Sequence, residues 1–153
     1  MKIGVISDTH GFLDPKISDL FAGVTHILHA GDIGPDALIA ELEAIAPVTA
    51  VCGNTDSSPT FAPTATATLA GHKFLVHHIV NPRALREELR VRIARERPDA
   101  VVFGHTHQEF CERIDGVLFF NPGSAGKPRF GRGRTVAILH CDATGLRPEF
   151  LKL

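Results

Sequence analysis

The side chains able to do chemistry in this chain are oxygen and imidazole donors that recur just after short apolar runs. Asp8-Thr9-His10, Gly31-Asp32, Gly53-Asn54-Thr55-Asp56, His77-His78 and Gly104-His105-Thr106-His107 close the runs at 2 to 7, 26 to 30, 48 to 52, 73 to 77 and 100 to 104. Carboxylate, amide oxygen and imidazole together suit Mn²⁺, Fe²⁺, Zn²⁺ or Ni²⁺ better than Mg²⁺ or Ca²⁺, and a set without thiolate argues against a structural zinc. The candidates Asp8, His10, Asp32, Asn54, His77, His105 and His107 outnumber the four ligands of one tetrahedral ion. Two cations are the economical reading. Glycine before Asp32, Asn54 and His105 is expected to let the backbone turn sharply and bring each donor to the metal.

These donors become neighbours only if the strands that carry them end together. Each apolar run reads as a buried strand, and the segments 14 to 22, 35 to 46 and 82 to 97 read as helices. Pro35 opens the second, and Asn81 with Pro82 suits the start of the third. In the third, Leu85, Leu89 and Ile93 fall on one face. Alternating strand and helix implies a parallel sheet. Ligands of an open α/β sheet bind outside the carboxyl ends of its strands, so five donor-bearing ends would converge on one crevice. Beyond His107 the runs at 109 to 114, 117 to 121, 134 to 141 and 146 to 151 are joined by Asp115-Gly116 and Ala143-Thr144-Gly145, which are hairpin signals. A single domain over 1 to 153 is expected, with an α/β first two thirds and an antiparallel remainder.

Composition narrows the classes. A hydrophobic content of 44% supports a core, and a charged fraction of 22% is ordinary for a globular chain, which excludes disorder. A formal net charge of -1 provides no overall field to gather a polyanion, so nucleic acid is not indicated by charge. Cys52, Cys111 and Cys141 are too few and too scattered for a disulfide framework or zinc knuckle. The first residues form a short apolar run broken by Asp8 and His10, neither a signal peptide nor a membrane span. A cytoplasmic protein is expected, with no membrane partner, and homo-oligomerisation is left open.

Taken in order, the five donor blocks resemble those of the calcineurin-like metallophosphoesterase superfamily, in particular its small bacterial and archaeal phosphodiesterases, over essentially the whole chain. The resemblance implies a four-layer αββα sandwich of two mixed β-sheets with a dinuclear site at one edge. It implies that Asp8, His10, Asp32 and His107 hold one metal and Asp32, Asn54, His77 and His105 the other, Asp32 bridging. Manganese is the first choice, with iron, zinc or nickel as alternatives. The implied reaction is in-line attack on phosphorus by a hydroxide bound between the metals, with Asp8, Asp32, Asn54 and His105 as the catalytic set and a small phosphodiester or nucleotide-like molecule as substrate. The other readings are a catalytically weak scaffold like the family's retromer relative, or a nucleotide monophosphatase.

Two positions depart from the family pattern. Larger members place a leaving-group acid, a histidine, after the Gly-Asn pair, where this chain has Thr55; diester hydrolysis with acidic leaving groups is the expected consequence. Related proteins often read His-Gly-His where this chain has His77-His78-Ile79, so His78 could contact substrate or replace the lost acid, although strand alternation would point it away from His77. A basic stretch, Lys127, Arg129, Arg132 and Arg134, follows Asn121-Pro122-Gly123-Ser124. Its plain reading is a solvated turn, and its alternative is an arm on which Arg129 meets a substrate phosphate or nucleic acid. His29 and Asp56 read as residues that support the donors; His26, His72 and His140 carry no expectation.

Overall fold

The computed structural model describes residues 1–129, 131 and 133–153. The chain runs β1 (Lys2–Ile6), α1 (Lys16–Leu20), β2 (His26–His29), α2 (Ala37–Glu43), β3 (Val48–Ala50), β4 (Thr64–Leu69), β5 (His72–His77), α3 (Glu87–Glu96), β6 (Ala100–Val102), β7 (Glu109–Ile114), β8 (Val117–Pro122), β9 (Thr135–Asp142) and β10 (Gly145–Lys152). They form two mixed sheets, ordered β10-β9-β1-β2-β3 and β4-β5-β6-β8-β7. Strands β1, β2 and β3 are mutually parallel, as are β5, β6 and β8. The antiparallel third of the chain is shared out: β7 and β8 complete the second sheet, while β9 returns to pair with β1, Gly4 opposite Ile138.

Strand alternation sorts the apolar side chains into three cores. Ile3, Val5, Leu28, Phe74, Val76, Val102 and Phe120 fill the space between the sheets. Ile6, Ile27 and Val136 face α1 and α2, where Ile17, Phe21 and Leu42 meet them. Leu75, Val101 and Phe119 face α3 through Leu89, with Leu85 and Ile93 alongside. The order is therefore helices, sheet, sheet, helix, the four-layer sandwich. Burying each large apolar side chain contributes about 1.5–3 kcal/mol, and because both faces of each sheet are covered the carboxyl ends of β1, β2, β3, β5 and β6 are left as the place where polar side chains gather.

Two elements differ from the sequence expectation. Strand β4, Thr-Ala-Thr-Ala-Thr-Leu, pairs antiparallel with β5 through the turn at Ala70 and Gly71; its small side chains gave no apolar run to see. Helix α3 begins at Glu87, not at 82. Asn81 closes a separate turn, its side-chain oxygen accepting from the Arg83 amide (3.2 Å) and its carbonyl from the Ala84 amide (3.0 Å), and Arg86 is extended (ψ 146°). No helix among the described residues is long and apolar enough to cross a membrane.

Candidate metal centre

The loops leaving β1, β2 and β6 turn left-handed at the donors themselves: Asp8 (φ 55°), His10 (47°), Asp32 (53°), His105 (68°) and His107 (56°). For a side chain other than glycine this costs on the order of 1–2 kcal/mol per residue. Outside these five, positive φ among the described non-glycine residues occurs only at Ala70, Asp115 and Arg97, which lie at two hairpin turns and the end of α3. Strain gathered at one crevice marks a functional site. Backbone bonds hold the turns, with the Asp8 amide on the Gly31 carbonyl (3.0 Å) and the His10 amide on the Asp32 carbonyl (2.9 Å).

The glycines act partly as expected. Gly31 has φ 96°, and a side chain there would come within 2.8 Å of His78 Nδ1. Gly53 and Gly104 do not adopt positive φ; they are needed for room. A Cβ on Gly53 would strike the Asp32 carboxylate, and one on Gly104 would strike the Ser7 hydroxyl and lie 2.6 Å from Asp8 Oδ2.

The donors form two adjoining groups. In the first, His107 Nε2 lies 3.2 Å from Asp8 Oδ1 and 3.5 Å from His10 Nε2. In the second, His78 Nε2 lies 3.3 Å from Asp32 Oδ2 and 3.1 Å from Asn54 Oδ1, which His105 Nδ1 also approaches at 3.0 Å. Both carboxylates lie between the groups. Asp8 Oδ1 is 4.0 Å from His78 Nε2, and Asp32 Oδ2 is 3.8 Å from His10 Nε2. The expectation of Asp32 alone in the middle thus becomes a pair, Asp8 and Asp32, that are 0% and 3% exposed.

His77 is the one expected donor that the structure does not bring to the centre. Along β5, Phe74 and Val76 face the other sheet and Leu75 faces α3. By the same alternation His78 enters the crevice and His77 leaves it. His77 Nδ1 meets the Thr64 hydroxyl (2.8 Å) on the α3 side. His78, read from sequence as a substrate contact or an acid, is the histidine of the pair that lies in the crevice, beside Asp32 and Asn54.

Residues behind the donors fix their orientation. His78 Nδ1 donates to the Ala30 carbonyl (2.7 Å), so Nε2 is the nitrogen turned to Asp32 and Asn54. Thr9 donates to the Ile33 carbonyl (2.9 Å), so its oxygen accepts from His29 Nε2 (3.0 Å), while His29 Nδ1 accepts the Gly31 amide (3.2 Å). The Asp56 carboxylate accepts the amides of Ile33 (3.0 Å), Gly34 (2.9 Å) and Gly53 (2.8 Å), tying the Asp32 loop to the Asn54 loop. Asn121 donates to the Gly104 carbonyl (2.8 Å) and steadies the His105 turn. Ser7, which no sequence signal singled out, donates to Asp8 Oδ2 (2.6 Å). Ligand-supporting bonds of this kind fix tautomer and ring direction.

Electrostatics couple the second group. Burial alone would raise the Asp32 carboxyl, but hydrogen bonds from His78 and the Thr55 amide outweigh it and hold Asp32 well below the carboxylate range. Burial likewise pulls His78 down, and its bonds to Asp32 and the Ala30 carbonyl, with the charge of Asp8, lift it above the ordinary imidazole value. His10 is lowered chiefly by burial, and His29, fully enclosed, is pushed down to about 4 for the same reason.

The residues fit divalent cations. Asp8 Oδ1 is buried and has no hydrogen-bond partner among the described residues, an arrangement that costs several kcal/mol in a low-dielectric interior unless a positive charge compensates it. Asp8, His10 and His107 bring one donor atom each within ligand reach of one another, as do Asp8, Asp32 and His78. Beside His107 lie Lys127 and Arg129, and Arg129 is near enough for its charge to depress His10. Arg134 is instead structural, bonded to Asp14 (2.8 Å) and to the Ala125 carbonyl (3.0 Å). Arg132 lies outside the described residues.

Comparison with known proteins agrees with this construction. The model of the calcineurin-like phosphoesterase superfamily domain matches residues 1–144. A probable metallophosphoesterase of Methanothermobacter thermautotrophicus is 34% identical over 99% of this chain and 92% of its own. The structure of a novel archaeal phosphodiesterase superposes with a TM-score of 0.81 at 27% identity, covering 100% of both chains. Wild-type Vps29 of Entamoeba histolytica, solved with zinc, shares the fold with a TM-score of 0.74 at 21% identity over 99% of each chain. The strand-end donors, the two mixed sheets and these matches together establish that the chain belongs to the calcineurin-like phosphoesterase superfamily.

Proposed function

We propose that the protein is a phosphodiesterase that works with two divalent cations on small or nucleotide-like diesters. The observation that carries this reading is the buried Asp8 Oδ1, without a hydrogen bond among the described residues and set between His107 and His78. Asp8, His10 and His107 would hold one cation and Asp32, Asn54, His78 and His105 the other, with Asp8 and Asp32 between them. Such cations supply Lewis-acid polarisation of phosphoryl oxygens and lower the pKa of water towards about 7. Manganese suits the oxygen and imidazole donors, as do iron, zinc and nickel.

The chain's own groups shape the chemistry around those cations. Asp8 and Asp32 are the only carboxylates among the grouped donors and Asn54 is neutral, so a loaded centre keeps excess positive charge for a phosphate. Arg129 and Lys127, beside His107, extend that field towards an incoming diester. Thr55 stands next to Asn54, its amide spent on Asp32 Oδ1 (2.9 Å), and its hydroxyl is too weak an acid to protonate an alkoxide. His78, turned to Asp32 and Asn54, is committed to the metal group and does not serve as that acid. Leaving groups that depart without a proton are therefore preferred. An intact donor set supports catalysis over a scaffold role.

The test is a panel of aryl and alkyl phosphodiesters and monoesters assayed with manganese. General-acid assistance is worth about 10² to 10⁴ in rate, so aryl diesters are expected to exceed alkyl diesters by at least about 10², with Asp32→Ala inactive. Equal rates across leaving groups, or activity surviving in Asp32→Ala, would overturn the reading.

A further inference from the structure

His77 lines a second cavity, of about 710 Å³, on the far side of β5 between that strand and α3. Three guanidiniums border it, Arg86, Arg92 and Arg95, against one carboxylate, Glu88. The arginines of this region divide by direction. Those turned away are paired: Arg90 with Glu87 (2.5 Å) and Arg83 with Glu112 (2.6 Å). Of those on the cavity, Arg95 reaches Glu96 (3.0 Å), whereas Arg86 and Arg92 have no carboxylate within salt-bridge distance among the described residues. Arg92 Nε is moreover buried without a hydrogen-bond partner among the described residues. An unmet buried donor on a charged group is costly, and an anionic oxygen entering the cavity would remove that penalty.

We propose that this cavity binds an organic phosphomonoester of about nucleoside-monophosphate size. Guanidinium forks match phosphate oxygens in geometry and charge. The rest of the wall mixes the polar Thr64, His77 and Asn81 with apolar Ile79, Leu89 and the exposed Val91, which gives the organic part of the ligand both a surface to cover and polar groups to meet. The volume falls within the roughly 300–1,000 Å³ of small-molecule sites, far more than a bare phosphate fills. The site lies on the opposite face of β5 from the metal centre and needs no cation. A phosphomonoester is also the class of product that the proposed diester hydrolysis releases, so the cavity is placed to sense that product.

Calorimetric titration of the protein in EDTA tests this independently of the phosphodiesterase reading, with AMP as probe and adenosine and inorganic phosphate as partial ligands. AMP is expected to bind saturably and at least tenfold more tightly than either part. Arg86→Gln, at an exposed position, should weaken it at least tenfold at unchanged melting temperature and Arg92→Gln at least tenfold in a protein that stays folded, while Asp32→Ala should leave it unaltered. Absence of saturable AMP binding, binding indifferent to both arginine substitutions, equal affinity for inorganic phosphate, or loss in Asp32→Ala would overturn the proposal.

Discussion

His78 Nε2 lies 3.3 Å from Asp32 Oδ2 while its other nitrogen donates to the Ala30 carbonyl. A cation held by His78, as proposed, would need the nitrogen that now faces Asp32, so proton and cation would compete for it.

The competition has a sign. His78 is raised in the folded protein above 6.5, so its contribution to the stability of the metal-free protein is complete below that pH and disappears as pH rises through the folded value. Asp32 is lowered, so its contribution is present above 3.8 and lost as pH falls. His29, pushed down to about 4, acts in the opposite sense to His78 and favours the folded state only once the unfolded chain sheds its proton, above about 6.5. The difference in melting temperature between wild type and His78→Gln in EDTA isolates the first effect. It should shrink from about pH 6 to about pH 9, while the gain in melting temperature on adding manganese grows. A difference independent of pH would contradict the pairing.

Asp56 predicts a separation of stability from donor chemistry. Its carboxylate accepts three backbone amides from two loops, and bonds to a charged acceptor contribute about 1.5–3 kcal/mol each before solvent compensates the exposed ones. Asp56→Ala should cost about 2–4 kcal/mol in denaturant unfolding and weaken manganese binding by about 10 to 100-fold, although Asp56 is not itself grouped with the donors. Full metal affinity in a folded Asp56→Ala protein would show that the loops position themselves.

Arg129 should act on substrate capture. Arg129→Ala is expected to raise KM for a diester about tenfold with a smaller change in kcat, and to flatten the dependence of kcat/KM on salt, as loss of a phosphate-attracting charge does. An unchanged KM would return the basic stretch to a solvated turn.

How much of this is legible in the sequence depends on how each feature is encoded. Asp8, His10, Asp32, Asn54, His105 and His107 are visible because each comes just after an apolar run, and those runs are β1, β2, β3 and β6. The choice between His77 and His78 is not. In β5 both faces are covered, so Phe74, Leu75 and Val76 are all fully buried and the alternation that would tell inside from outside is erased. That Gly53 and Gly104 provide room instead of a turn is hidden as well, because the approach of Asp32 and Asp8 is a contact between distant segments. Strand β4 is silent because Thr-Ala alternation carries little hydrophobic contrast. Its residue Thr64 meets His77 on the side away from the centre.

The exchange of His78 for His77 is the claim on which the metal centre rests, and manganese content after dialysis measures it most directly. Wild type and His77→Ala should each retain about two ions per chain, and His78→Ala should retain about one, the Asp8, His10 and His107 group surviving. Loss of an ion from His77→Ala with full retention in His78→Ala would contradict the account.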